Sequence, residues 1–149
     1  MELRIGGKIY NIEYTIEASL CAECTEAVTN LMTDIAQAEG EQNIKKLIAS
    51  MANIPQITLT MFYAGLLEKH GIDGDNTVKT KDDAKRLIKS YFEENSEENF
   101  HSLMSKLMEQ MGNDGFFKQI GLAQAVEASQ TKEVKKPQDH KKSEKATNK

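Results

Sequence analysis

The stretch "IPQITLTMFYAGLLEKHG", residues 54–71, decides how the chain is read. Its one glutamate, one lysine and one histidine sit together at the far end, and the rest holds no group suited to chemistry. Pro55 fits a first helical turn, where its missing N–H is no loss. Leu59, Phe62, Tyr63, Leu66 and Leu67 fall at helical spacing, and Gly71 supplies the stop. This predicts an apolar helix whose stripe packs inside the molecule, so that any contact surface for another protein lies elsewhere.

Upstream, "LRI", "GG" and "KIYNIEYTI" are two extended runs around a two-glycine turn, which predicts a β-hairpin within residues 2–16. Pairing across the turn sets Ile5 against Lys8 and Leu3 against Tyr10. Leu3, Ile5, Tyr10, Ile12 and Tyr14 then share one face, with Arg4, Ile9 and Glu13 on the other. An isolated hairpin is marginal in water, so that face wants a cover. The cover is expected from Thr15 to Ala38, where Leu20, Cys21, Cys24, Ala27, Val28, Leu31, Met32 and Ile35 recur at helical spacing. A shorter helix is expected from Gln42 to Ala52 on Ile44, Leu47, Ile48 and Met51.

Downstream, "TKDD" opens the next helix. Thr80 caps it, Asp83 reaches back, and both aspartates favour the positive end. Its stripe is Ala84, Leu87, Ile88, Tyr91 and Phe92. Another helix is expected from about Ser96 to Gly112, and "GFFKQIGLAQAV" is a weaker helical piece after it. The fold class expected is mainly α with a small N-terminal hairpin (α+β): about five helices in one domain over residues 1–128, with helices to about 127. Residues 129–149 hold seven lysines against three acids, a +4 tail beside a −8 body, and are expected to be a disordered basic tail.

Composition narrows the function classes. The chain has 149 residues, 39% of them hydrophobic, a net charge of −4 and no tryptophan. Mean hydropathy is −0.55. An acidic body gives no electrostatic footprint for nucleic acid. No run of 18 apolar residues suggests a membrane span, and "MELRIGGKIY" lacks the apolar segment of a signal peptide. A cytoplasmic protein is expected.

Chemistry-bearing motifs are weak. "CAEC", Cys21 to Cys24, has no second ligand pair for zinc. Both cysteines are expected on the apolar stripe, more than a turn inside the helix, as packed and inert side chains. "DGDNT" fails the calcium-loop pattern, with Val78 and Ala84 where glycine and glutamate belong. His70, His101 and His140 are scattered, and "IGGK" lacks phosphate-loop spacing. No catalytic residue, cofactor or metal is expected, and the chain reads as a non-enzyme. The surface singled out for partner binding is the methionine-rich helix together with the two phenylalanines beyond its end: Phe100, Leu103, Met104, Leu107, Met108, Met111, Phe116 and Phe117. Methionine is unbranched and adapts to irregular partners. The competing expectation is that this stripe is core, as most helical stripes are.

"LRIGGKIYNIEYTIEASLCAECTEAVTNLM", "IPQITLTMFYAGLLEKHG", "DAKRLIKSYFEEN" and "LMEQMGNDGFFKQIGL" together resemble the tail assembly chaperones of long-tailed bacteriophages and prophages of low-GC Gram-positive bacteria. The resemblance runs from Met1 to about Leu122. It implies a small helical protein, made in the cytoplasm of the bacterial host, that binds the tape measure protein, keeps it soluble and recruits tail tube protein. It also implies departure before the virion is mature, and a longer form of the same chain made by ribosomal frameshifting. Several copies, a homo-oligomer on the client, would bind one long tape measure chain with avidity. The other readings are a structural tail or virion subunit, and a generic acidic helical adaptor.

Overall fold

A computed structural model describes residues 1–38 and 40–122. The expected basic tail at 129–149 and the last part of the terminal helical piece lie outside the described residues. The chain begins with strands β1 (Glu2–Ile5) and β2 (Lys8–Asn11). They pair antiparallel with Leu3 opposite Tyr10 and Ile5 opposite Lys8, the register that the glycine turn predicts. Gly6 and Gly7 both take positive φ, 59° and 79°, which side-chain-bearing residues rarely adopt.

Among the described residues seven helices come next: α1 (Ile16–Leu20), α2 (Ala22–Ala36), α3 (Glu41–Ala52), α4 (Ile54–His70), α5 (Lys81–Glu94), α6 (Phe100–Asn113) and α7 (Phe116–Gln119). The sequence suggests about five. One additional helix arises because the segment from Thr15 to Ala38 is broken: Cys21 is extended, with φ −74° and ψ 93°, and separates α1 from α2. No glycine or proline marks the break. The Cys21 N–H donates to the Ala18 carbonyl, and the Thr25 hydroxyl reaches the Ser19 and Cys21 carbonyls, each at 3.3 Å. The other is α7, a single turn entered through Gly115 at φ 74°.

Helix α4 is the centre of the fold. It packs against α1, α2, α3, α5, α6 and β2. Its buried band is Thr58, Met61, Phe62, Gly65 and Leu66, joined by Thr60, Ala64 and His70, while Leu59, Tyr63 and Leu67 are only half-buried. The stripe read from the sequence is therefore displaced round the helix, because neighbours enclose α4 from several sides. Gly65 lets the hairpin come close: a Cβ there would lie 2.5 Å from Ile12 Cγ2. The Gly65 carbonyl accepts the Glu13 N–H at 2.9 Å.

The hairpin face is covered, with Leu3, Ile5, Ile12 and Tyr14 buried, but the cover comes from α4 against β2 and α5 against β1 rather than from the segment Thr15 to Ala38, because α1 and α2 pack on α4 instead. Tyr14 donates its hydroxyl to the Met61 carbonyl at 2.9 Å, and Asp114 accepts the Tyr14 N–H at 2.9 Å. Burial holds the Tyr14 phenol well above its ordinary pKa. Helix α5 opens with the expected capping box between Thr80 and Asp83, and α6 opens with another between Asn99 and Ser102.

Candidate functional site

The residues that the sequence points to for partner binding divide by accessibility. Leu103, Leu107 and Met111 recur every four residues on the side of α6 that meets α4, and all three are fully buried. Phe116 is also fully buried, its ring edge-on to Tyr14 at 5.6 Å between centroids. These four are core: a partner reaches them only by opening the fold. Phe100, Met104, Met108 and Phe117 flank them and keep part of their surface. The methionine-rich stripe is thus wide because its middle is core and its edges are half-covered.

Apolar surface is left bare elsewhere. Helix α3 has no buried residue at all. Asn43, Leu47 and Ser50 turn towards the body and are half-buried, and Ser50 donates its hydroxyl to Asp34 of α2. Ile44, Ile48 and Met51 line the adjacent face and are 50%, 60% and 54% exposed. Ile35, near the end of α2, is 52% exposed. A stripe at i, i+4 and i+7 is the pattern by which a helix buries a face. On α3 that face has no cover among the described residues. The sequence predicts this stripe, but periodicity specifies only a face, never what lies against it.

A second feature lies across the molecule's α4–α5 seam. The start of α4, the length of α5 and the start of α6 enclose a groove of about 970 Å³. Its apolar lining is Pro55, Leu59, Ile88, Phe92 and Phe100, the last two rings edge-on at 5.0 Å. Its charged lining is Lys81, Lys85, Arg86 and Lys89 with Asp82 and Glu93, and two further acids just outside the lining bring the charges there into balance. Lys81 is held by Glu23 at 2.6 Å and Arg86 by Asp83 at 3.3 Å. Among the described residues, Lys85 and Lys89 carry no ion pair, and both are exposed. Of the eight residues suggested by the sequence, only Phe100 lines this groove. The signal that could have found it is the four-residue spacing of Lys81, Lys85 and Lys89 beside Ile88 and Phe92.

The cysteines sit differently from expectation. Because the helix breaks at Cys21, that residue stands at the start of α2 rather than a turn inside a longer helix. Cys24 is buried, and burial pushes its thiol up to about 12, so it stays protonated at neutral pH. His70 is buried and serves the fold, accepting from the Asn11 N–H. Among the described residues, no three His, Cys, Asp or Glu side chains are grouped to hold a metal ion, and no helix is long and apolar enough to cross a membrane. No family model, no curated protein and no solved structure matches this chain.

Proposed function

We propose that this protein is a tail assembly chaperone of a long-tailed bacteriophage or prophage, acting in the host cytoplasm. It binds the tape measure protein, keeps that long helical chain soluble, and brings tail tube subunits to it. The observation that carries the reading is α3, a helix with an apolar stripe at Ile44, Ile48 and Met51 that the fold leaves uncovered among the described residues. A tape measure chain exposes apolar helical faces that aggregate if left bare. A stoichiometric chaperone needs uncovered apolar side chains to meet them, and net charge to stay dispersed. The ordered resemblance of four segments to the tail chaperones supports the same reading.

The area on α3 also suits the task. Ile44, Ile48 and Met51 of α3, with Ile35 of α2, are each about half exposed and offer on the order of 400 Å², roughly half of what each partner contributes to a standard stable interface. A contact of that size is weak alone and strong when repeated along one long client. The test is co-expression with a tape measure protein, scoring client in the soluble fraction and co-purification. Client rescued in a many-to-one complex, with Ile48→Asp failing to rescue it while remaining folded, is the expected result. An insoluble client, or the protein retained in purified virions as a fixed component, would overturn the chaperone reading in favour of a structural subunit.

A further inference from the structure

We infer that Cys21 and Cys24 form a reversible thiol–disulfide pair. Half-buried Cys21 meets a small-molecule disulfide, and buried Cys24 resolves the mixed disulfide from within. This chemistry does not depend on the chaperone reading. It starts from the break between α1 and α2, where no glycine or proline stands. Cys21 sits at that break and keeps part of its surface, while Cys24, three residues on, is fully enclosed in the core. The Cys21 carbonyl accepts the N–H groups of Cys24 and Thr25, at 3.0 and 3.1 Å, so the backbone between the two cysteines is already a closed helical turn.

The break matters because of where it aims Cys21. Three residues along a helical turn put the two Cα atoms about 5 Å apart, within the roughly 4.4–6.8 Å that a disulfide spans. In an unbroken helix, however, the Cβ atoms would stand about 5–6 Å apart, wider than the roughly 3.5–4.5 Å of a disulfide. Cys21 is not helical: it is the N-cap of α2, with φ −74° and ψ 93°. An N-cap side chain leans over the first turn towards N3, which is how a capping serine or threonine reaches the backbone there. Cys24 is N3 of α2, and Cys21 makes no capping hydrogen bond that would hold its side chain elsewhere.

Access divides the roles. Burial, then the neighbouring Cys21, raises the Cys24 thiol to about 12, while Lys81, held by Glu23, works against them. Cys24 is therefore silent towards outside reagents, and Cys21 is the thiol that they meet. The Cys21 thiolate, its proton lost to water, attacks one sulfur of a disulfide RSSR. The S–S bond breaks, RS⁻ leaves, and a Cys21–S–S–R mixed disulfide remains. Cys24 Sγ then attacks Cys21 Sγ, the bond from Cys21 to SR breaks, and the second RS⁻ leaves and takes up the Cys24 proton. The two thiols lose two electrons, and one RSSR is reduced to two RSH. Excess RSH runs both steps backwards.

The full-length protein is incubated with oxidised glutathione at about pH 8, quenched in acid and weighed by mass spectrometry. Far-UV circular dichroism verifies that it stays folded. Wild type is expected to lose two hydrogens with no lasting adduct, and to regain them in reduced glutathione. Cys24→Ala is expected to stop at a glutathione adduct on Cys21 that outlives the wild-type adduct at least about tenfold. Cys21→Ser is expected to react at least about tenfold more slowly than wild type until urea unfolds it. If Cys24→Ala does not fold, the wild-type mass and Cys21→Ser carry the test alone. A wild-type adduct that persists would make Cys21 an ordinary surface thiol and overturn the pair. So would no reaction of wild type, reaction of Cys21→Ser at the wild-type rate, or a doubled mass showing that the disulfide joins two copies.

Discussion

The Nε2 atom of His70, at the end of α4, accepts the backbone N–H of Asn11 in β2 at 3.0 Å. Accepting there fixes the tautomer: Nδ1 carries the proton and donates to Asp75 Oδ2, also at 3.0 Å. The imidazole is buried and lies against the Tyr10 ring at 5.1 Å. One side chain therefore fastens the hairpin, the central helix and the loop after it. His70→Leu keeps the volume but strands the Asn11 N–H and removes a partner of Asp75. It is expected to cost about 1–3 kcal/mol, the penalty for a buried donor left without an acceptor. Urea unfolding at pH 7 measures it, and a change below about half a kcal/mol would show that the link contributes little.

Asp75 makes the same corner sensitive to acid. The Thr77 hydroxyl, then the Thr77 N–H, His70 and Lys8, donate to its carboxylate and hold it well below the ordinary value of 3.8. A carboxylate depressed in the folded state contributes stability above its unfolded pKa, and the contribution is lost as pH falls through that value towards the folded one. Stability is thus expected to drop between about pH 5 and pH 3, and to drop less in Asp75→Asn. Urea midpoints at the two pH values decide it: equal losses in both proteins would remove Asp75 as a cause.

These two residues also mark what the sequence made legible. The glycine pair fixed the hairpin register, and Thr80 with Asp83 fixed the start of α5, because both devices act through neighbours in the chain. Long-range partners were invisible. Nothing near His70 announces Asn11, which lies 59 residues away. The break at Cys21 carries no breaker residue and left Leu20, expected on the buried stripe, 73% exposed. The apolar stripes of α3 and α6 look equally amphipathic in sequence, yet α6 packs on α4 with its central residues enclosed, while α3 stays at the margin. Which stripe is core depends on the tertiary arrangement, and so periodicity alone points to a partner surface on α6 and the two phenylalanines of α7, half of whose residues are inaccessible.

Gly65 tests the close approach of hairpin and helix. Alanine favours a helix interior over glycine by about 1 kcal/mol. Against that, its Cβ would meet Ile12 Cγ2 at 2.5 Å and Tyr14 Cζ at 3.1 Å, and both side chains are fully enclosed. Overpacking of this kind costs about 1–3 kcal/mol. Gly65→Ala is therefore expected to lower stability despite the better helix former. A thermal midpoint equal to or above wild type would show that the hairpin can shift away.

Cys24 is expected to be silent towards outside reagents and important sterically. With its thiol raised from the ordinary 9 to about 12, it resists alkylation at about pH 8 in the folded protein and reacts once urea unfolds the chain. A thiol raised in the folded state also makes stability fall as pH climbs above 9, since the unfolded chain ionises first. Rapid labelling of Cys24 without unfolding would mean that the α2–α4 packing opens readily.

The last contrast separates core from contact surface. Leu107 is fully buried between α6 and α4, and Leu107→Ala is expected to cost about 2–5 kcal/mol through lost burial and the cavity left behind. Leu107→Asp adds an unpaired buried carboxylate, which a domain of ordinary stability does not survive folded. Ile48 is 60% exposed on α3, so Ile48→Asp is expected to leave the thermal midpoint within about two degrees while abolishing client rescue. Circular dichroism on both variants, beside the co-expression assay, reads stability and binding independently. A folded Leu107→Asp protein would make the centre of α6 an accessible surface after all. An Ile48→Asp protein that still rescues the client would mean that α3 is not where the client binds.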